Sequence, residues 1–435
     1  MDWRIRRSGF IGLLPNPLAV DTMLATGIKP ARVMPKQFYL DTSRVASNGA
    51  RTGIQTVVRG LLAGLSSRRC VAHALRWSFE EACLTPLSPE WELNIGRTRR
   101  KKPYLPIPSL VRPKYWPLWA RTRGMDYKAP LHEHPTHAEH LNGRWLILPE
   151  LMDGPGARLA ADYARRHGMR VAAIFHDAIA WLHPEVVLHW TREQHADYMR
   201  ALAELDAVIA VSEQSAGEFT EFLRSQSLPM PPVRACSLSA QVLDQERETR
   251  LKETMGDTIK ILCVSTLEPR KNHALLIRAF EEACRKVGSP KLELHLVGCV
   301  YAAGEIGEAV RMAAVKTAAI FWHGGVSPEE LRNFYRECDF TVFASWIEGF
   351  GLPVVESLWF GRPCLCSDQG VMAENAKGGG CLTVNMRDAG ALADGMVRLA
   401  SRPEFRRELG EQALRRELKT WDDYAGEILG ILEGV

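Results

Sequence analysis

Asp339-Phe-Thr-Val-Phe-Ala-Ser345, Trp346-Ile-Glu348-Gly-Phe-Gly351-Leu-Pro353-Val-Val-Glu356-Ser-Leu-Trp-Phe-Gly361 and Arg362-Pro-Cys-Leu-Cys-Ser-Asp368 follow one another without a break, and their reading decides the fold. A short apolar run rich in β-branched and aromatic residues leads into a glycine-rich turn. A segment opened by Pro353 and closed by Gly361 follows, and then a second short apolar run. The pattern predicts strand, loop, helix, strand, with proline at the first helical position and glycine just past the last. In such a parallel unit the loop lies at the carboxyl edge of the sheet, where open α/β sheets bind ligands. The helix N-terminus there offers free N–H groups and a positive dipole to an anion.

Two carboxylates, Glu348 before the turn and Glu356 in the helix, are expected to face the same cleft. A nucleotide-sugar carries a sugar on either side of its diphosphate, and sugar hydroxyls are well gripped by a bidentate acceptor. Gly349 and Gly351 would let the backbone approach closely where side chains would not. Taken singly, Glu356 reads equally as a charge favouring the helix dipole and Glu348 as a loop surface charge.

The stretch Glu348-Gly-Phe-Gly-Leu-Pro-Val-Val-Glu356-Ser-Leu resembles the signature of the retaining glycosyltransferases of family 4. That resemblance implies an α/β protein of GT-B architecture, two Rossmann-like domains whose parallel sheets face a central cleft. It covers roughly residues 38–65 and 144–430. It implies domains at 1–245 (acceptor side) and 246–415 (nucleotide-sugar side), with a final segment, 416–435, crossing back onto the first domain.

Length and composition agree with two domains. A chain of 435 residues exceeds what one core usually organises, and 46% hydrophobic with 24% charged residues is ordinary for a globular protein. No apolar run approaches the roughly 20 residues of a transmembrane helix, and the N-terminus is too short in apolar residues for a secretory signal. The ten cysteines show no metal or redox spacing. They read as reduced core thiols of a cytoplasmic protein, with Cys364-x-Cys366 in a buried strand.

In chain order, residues 1–36 give little periodic signal and read as a partly ordered arm. Phe38–Asp41 reads as a first strand, and Asn48-Gly49-Ala-Arg51-Thr52-Gly53 as a turn before the helix Ile54–Leu65. Backbone N–H groups of that turn, Gly53 among them, would approach a phosphate, as the resemblance also implies; an ordinary tight turn is the plainer reading. Between Arg97 and Arg123 stand nine Lys/Arg and no acid, interleaved with Tyr104, Tyr115, Trp116 and Trp119. Such a segment suits an anionic membrane surface or a lipid-linked acceptor. A solvated loop is the competing reading, and nucleic acid is not expected as a partner: the charge signature is shared, but a net charge of +4 does not imply a polyanion.

Arg144–Pro149 and Val171–Asp177 read as strands, with Ala157–His167 a helix between them. The second strand ends in His176-Asp177, a pair that the resemblance places near the donor sugar, though a lone histidine is more often structural. Asp206–Val211 reads as a strand followed by a helix capped by Ser212. A linker is expected over the polar stretch Ser239–Asp257.

Ile259–Thr266 reads as a strand before Leu267-Glu268-Pro269-Arg270-Lys271-Asn272 and the helix His273–Val287. Adjacent cations at a strand's carboxyl end suit a diphosphate, which gains charge as it leaves. By resemblance Lys271 carries over directly. Thr266 stands where many family members have an arginine, and Arg270 is taken as the substitute. Ile320–Gly325 ends a strand before a helix opened by Ser327-Pro328, and the backbone near Val326 resembles the family's contact to the nucleotide base. Asn375–Gly380 reads as a flexible turn, Arg387–Ser401 as a helix, and Trp421 as the opening of the last helix.

The expectation is a retaining hexosyltransferase that moves mannose or rhamnose from a nucleotide-diphospho-sugar to a glycan or lipid-linked acceptor in bacterial surface polysaccharide synthesis. His176, Asp177, Arg270, Lys271 and Glu348 are the candidate catalytic residues. Gly53, Thr266, Val326, Gly349, Phe350, Gly351, Leu352 and Glu356 are the candidate donor contacts. No metal and no other cofactor is expected, since no Asp-x-Asp stands in a suitable loop. The protein would be cytoplasmic, with 97–123 against the inner face of the membrane. Other GT-B enzymes, such as a phosphorylase or an epimerase, a non-catalytic nucleotide-sugar sensor and a basic-loop scaffold remain open on residues alone.

Overall fold

The computed structural model describes residues 36–48, 53–68, 70–78, 83–86, 141–187, 190–242, 245–253, 257–300 and 305–435. The arm before Lys36, the turn residues 49–52 and the basic segment 97–123 lie outside the described residues. The first sheet contains β1 (Gln37–Asp41), β2 (Val71–Ser78), β3 (Cys83–Pro86), β4 (Trp145–Leu148), β5 (Arg170–Phe175), β6 (Ala207–Ala210) and β7 (Val233–Ala235). The second contains β8 (Thr258–Val264), β9 (Lys291–Val297), β10 (Ile320–Gly324), β11 (Phe340–Val342), β12 (Cys364–Ser367) and β13 (Cys381–Val384).

Among the described residues the first sheet runs β3-β2-β1-β4-β5-β6-β7 and the second β10-β9-β8-β11-β12-β13. The pairings are parallel except that β3 returns antiparallel along β2, Leu75 opposite Pro86. The two parallel sheets are those expected, with β3 as a short antiparallel strand at one edge of the first.

Strands covered on both faces read as continuous apolar runs, and β4 and β5 do: Leu146, Ile147, Val171, Ala172, Ala173 and Ile174 are wholly buried. Helix starts follow the sequence signals. Ser212 caps the helix Glu213–Ser225 by accepting from the Ser215 N–H, and Ser327 with Glu330 forms a capping box on Pro328–Glu337. The decisive stretch folds as expected, β11, a turn, the helix Leu352–Trp359 and β12, with Gly351 at φ 83° before the helix and Gly361 at φ 64° after it. Both glycines hold left-handed backbone that a side chain would strain.

The strand order reverses between β1 and β4 in the first sheet and between β8 and β11 in the second. Those reversals mark where the crossovers diverge to opposite faces and leave a crevice at the carboxyl edge. Loops after β8 and β11 carry Arg270, Lys271 and Glu348, so the candidate residues stand at the second reversal.

One continuous apolar cluster includes Leu40 and Ile147 of the first sheet, Leu262 and Cys364 of the second, and Trp421, Tyr424 and Ile428 of the last helix. The helix Trp421–Glu433 packs on the helix Gly53–Ser67. Trp421 donates through its indole to the Gln241 carbonyl at 2.9 Å, and Arg68 pairs with Asp422 at 2.9 Å.

The stretch read as a linker is anchored rather than loose. Leu238, Ala240 and Val242 are buried, the Ala240 N–H donates to the Lys419 carbonyl at 3.0 Å and the Glu248 N–H to that of Trp359 at 3.2 Å. Its polar composition masked the alternating apolar residues that seat it. The turn read over Asn375–Gly380 begins later than expected: Asn375 and Ala376 end the helix Gly370–Ala376, and the left-handed run is Gly378–Gly380.

Candidate active site

Arg270 and Lys271 form a single turn of tight helix after β8, and Glu348 arrives from the loop after β11. The Glu348 carboxylate accepts from Arg270 Nη1 at 2.5 Å through one oxygen and from Lys271 Nζ through the other. Arg270 is held from its other side by Glu268, whose Oε1 accepts from Nη2 at 2.9 Å and from the Thr266 hydroxyl at 2.9 Å. Lys271 and Glu348 are each only 8% exposed. Burial opposes the ionisation of Glu348, yet the charges of Arg270 and Lys271 outweigh it and hold the carboxyl at about 2. Burial and the neighbouring guanidinium lower the Lys271 ammonium. Burial, reinforced by the Lys271 charge, depresses the adjoining His273 to about 3, so that imidazole is neutral.

The turn that follows Glu348 is tied down through its carbonyls. Ser212 and Ser215 donate their hydroxyls to the Gly349 carbonyl at 2.8 and 3.2 Å, and Asn375 donates its amide to that of Phe350. Among the described residues no acceptor holds the N–H groups of Gly349, Phe350 and Gly351. These amides precede the helix that Pro353 opens, a combination suited to an anion. Gly53, which opens the first-sheet helix, stands beside Leu352: a methyl group on it would sit 3.6 Å from Leu352 Cδ1.

The first sheet supplies His176 and Asp177 after β5. His176 is buried and its Nε2 donates to the Pro149 carbonyl at 2.8 Å. Burial lowers its pKa, and the ring is a neutral one with Nδ1 as its remaining acceptor. Asp177 accepts from the Ile179 N–H at 3.0 Å, and its charge reaches Arg270 across the two halves. Glu374 reaches the other way, accepting from the Glu213 and Gln214 N–H groups at the start of a first-sheet helix.

Glu356 lies apart from Glu348, half-buried, with the Tyr335 hydroxyl donating to its Oε2 at 2.7 Å. Burial raises its pKa against that hydrogen bond. Neither glutamate is turned fully to solvent. Val326 is half-buried two residues beyond β10, packed on the core.

The structure therefore brings Arg270, Lys271, Glu348, Asp177 and the 349–352 turn into one neighbourhood, and sets Glu356 and Val326 outside the ion-paired cluster. The supporting residues Glu268, Asn375 and Glu374 were not singled out in the sequence, where nothing distinguishes them from surface polar residues. Asp41 and Glu150 were also missed. Asp41 ends β1 and Glu150 stands two residues beyond β4, at the first sheet's reversal, each 3% exposed. Burial and then the Asp41 charge push Glu150 up to about 7 against the Arg44 N–H it accepts. Among the described residues no cluster of three or more His, Cys, Asp or Glu has the geometry to hold a metal ion, and no helix is long and apolar enough to cross a membrane.

Two α/β units meeting through the carboxyl-edge loops of their sheets define the GT-B fold, and solved glycosyltransferases share it. Sucrose-phosphate synthase from Thermosynechococcus elongatus superposes with a TM-score of 0.63 at 17% identity, over 92% of this chain and 98% of that one. HepE from Anabaena, solved in complex with UDP and glucose, gives 0.60 at 14% identity over 92% and 100%. Residues 244–416 match the family model of the glycosyl transferases group 1. In sequence the chain is 26% identical over 245 residues to the serotype-specific mannosyltransferase WbdA of Escherichia coli, which is 53% of this chain and 29% of that protein. The likeness to the glycosyl transferases group 1 thus lies in the second half, and the chain spans under a third of the length of the WbdA proteins it matches.

Proposed function

We propose that this chain is a retaining glycosyltransferase of family 4 that uses a nucleotide-diphospho-sugar. One observation carries the reading. The buried Lys271, the half-buried Arg270 and a carboxylate meet at the strand-order reversal of the second sheet, beside amides at a helix N-terminus that no acceptor among the described residues claims. A diphosphate suits Arg270, Lys271 and those amides, and Glu348 suits the hydroxyls of the transferred sugar. Glu356 is assigned to the ribose, and Gly53, Thr266, Val326, Phe350 and Leu352 to the walls around the donor. His176 and Asp177 border the sugar from the first sheet.

The bond from the anomeric carbon to the diphosphate breaks while the acceptor oxygen bonds to that carbon on the same face, and the departing phosphate oxygen takes the acceptor's proton. Stabilising the charge on that leaving group is the main demand, which fixed cations in a dry site meet well. No metal is needed in this scheme. The mannosyltransferase relative favours mannose as the hexose, with rhamnose the next choice, and a glycan or lipid-linked acceptor of surface polysaccharide synthesis. Segment 97–123 is assigned to the inner membrane surface, which would make the protein peripheral on the cytoplasmic side.

The test is a thermal-shift screen against GDP-, dTDP- and UDP-sugars, since a ligand at 100 times its dissociation constant adds about 2.7 kcal/mol. Transfer from the stabilising donor with the anomeric configuration kept supports the reading. Absence of any nucleotide-dependent shift, or inversion at the anomeric carbon, ends it.

A further inference from the structure

Cys364 and Cys366 stand two apart on β12, so their side chains share one face of the sheet. Cys381 opens β13, in parallel register with Cys364. In-register residues of neighbouring strands project to the same face, so Cys381 faces the side of the sheet that carries Cys364 and Cys366. Cys364 and Cys366 are wholly buried, whereas Cys381 is half-buried. Arg416 lies alongside, donating to the Gly379 carbonyl at 3.2 Å, and its charge acts on Cys381 and Cys366.

We propose that Cys381 is a peroxide-reactive thiol that closes a reversible disulfide with Cys364. The neighbouring Cys364 and Cys366 thiols and the Arg416 guanidinium lower the Cys381 pKa, which favours the nucleophilic thiolate. Both partners have raised pKa values, chiefly from burial at Cys364 and from the hydrogen bond to its neighbour at Cys366, and stay protonated. Adjacent strands lie about 4.8 Å apart, within the separation a disulfide spans.

The Cys381 sulfur attacks hydrogen peroxide, the O–O bond breaks, and one oxygen remains as the sulfenic acid while the other leaves as water after taking a proton. The Cys364 sulfur then attacks the Cys381 sulfur, the S–O bond breaks, and the second oxygen leaves as water with the Cys364 proton. Two thiols lose two electrons and one peroxide becomes two waters.

The experiment treats the full chain with hydrogen peroxide, blocks free thiols and maps peptides. The expected result is a Cys364–Cys381 bridge that dithiothreitol reverses, and in Cys364→Ser a sulfenic acid at Cys381 that dimedone traps. Without oxidant, alkylation of Cys381 should rise far less from pH 6 to pH 8 than the roughly 100-fold gain of an ordinary peptide thiol. That rate is read on the native sequence and holds even where the variant fails to fold. An alkylation rate that climbs like a peptide thiol's, or oxidation at exposed Cys299 with no bridge at Cys381, overturns the proposal.

Discussion

The backbone of Gly349 lies against the carbonyl of His176 so closely that a methyl group on the glycine would stand 2.0 Å from that oxygen. The missing side chain lets the opposite half of the protein approach the backbone here. Since the obstacle is backbone, it cannot swing aside, and the Ser212 and Ser215 hydroxyls fix the loop from behind. Gly349→Ala should therefore separate the two halves at this point, at a cost of about 1–3 kcal/mol as for other overpacked sites. The check is a melting curve together with donor binding. A variant that melts and binds like the parent removes the contact from the account.

Glu348 is bound on both oxygens, and its carboxyl is held at about 2 against an ordinary value near 4.3. A carboxylate depressed in the folded state lends stability that is complete above its unfolded pKa and is lost as pH falls through the folded one. Stability should thus fall between about pH 4.3 and pH 2, with neutral His273 protonating on unfolding and steepening the loss below about pH 6.5. Glu348→Gln leaves Lys271 buried without its counter-charge and Arg270 paired with Glu268 alone, which costs about 3–5 kcal/mol where buried pairs are broken. Its melting temperature should depend on acid less steeply below pH 4.3. An unchanged acid profile would mean that Glu348 is not the group responsible.

Glu150 supplies the opposite sign. Its folded value of about 7 lies above the unfolded one, so its contribution is present below about pH 4.3 and is lost as pH rises through 7. The amide of Glu150→Gln can still accept from the Arg44 N–H, now without a charge to bury. The variant should be more stable than the parent at pH 8 by about 3 kcal/mol and nearly equal to it at pH 4. Denaturant midpoints at the two pH values decide this, and equal gains at both would refute the buried-charge explanation.

Lys271→Ala should lower sugar transfer by more than about tenfold with the fold intact, because a cation facing the leaving diphosphate acts in the transition state. Glu268→Gln, which loosens Arg270 without removing it, should cost less and fall chiefly on KM for the donor. Transfer by Lys271→Ala within tenfold of the parent would count heavily against the assigned role.

The elements of the second sheet were legible because each carries its own punctuation. Pro353, Gly361, Ser327 and Asn272 mark helix boundaries through local backbone chemistry, and the helix His273–Val287 falls where read. Partnerships were not legible. Glu348 meets Lys271 across 77 positions, and Cys381 joins Cys364 only because β13 lies beside β12. Sequence spacing says nothing of such meetings; the strand order decides them. The seating of 238–242 was hidden for another reason, since alternation of single apolar residues inside a polar stretch looks like solvated chain until the surface it covers is known.

The last helix depends on small residues in its partner. A methyl group on Gly60 would stand 2.1 Å from the Trp421 ring, and one on Gly64 would stand 2.2 Å from the Trp421 carbonyl. A displaced side chain could make room at Gly60, but the backbone at Gly64 cannot yield without moving the helix. Gly64→Ala should therefore undock Trp421–Glu433, expose the buried Trp421, Tyr424 and Ile428, and open the chain to protease near the exposed Glu417. Gly60→Ala should do so more weakly. Limited proteolysis with mass analysis reads the difference, alongside the blue shift of tryptophan emission lost when the indole is wetted. A Gly64→Ala protein that resists cleavage as the parent does would show that the helix is held by its other contacts, the Arg68–Asp422 pair and the Gln241 anchors of Trp421, rather than by the close packing of the two helices.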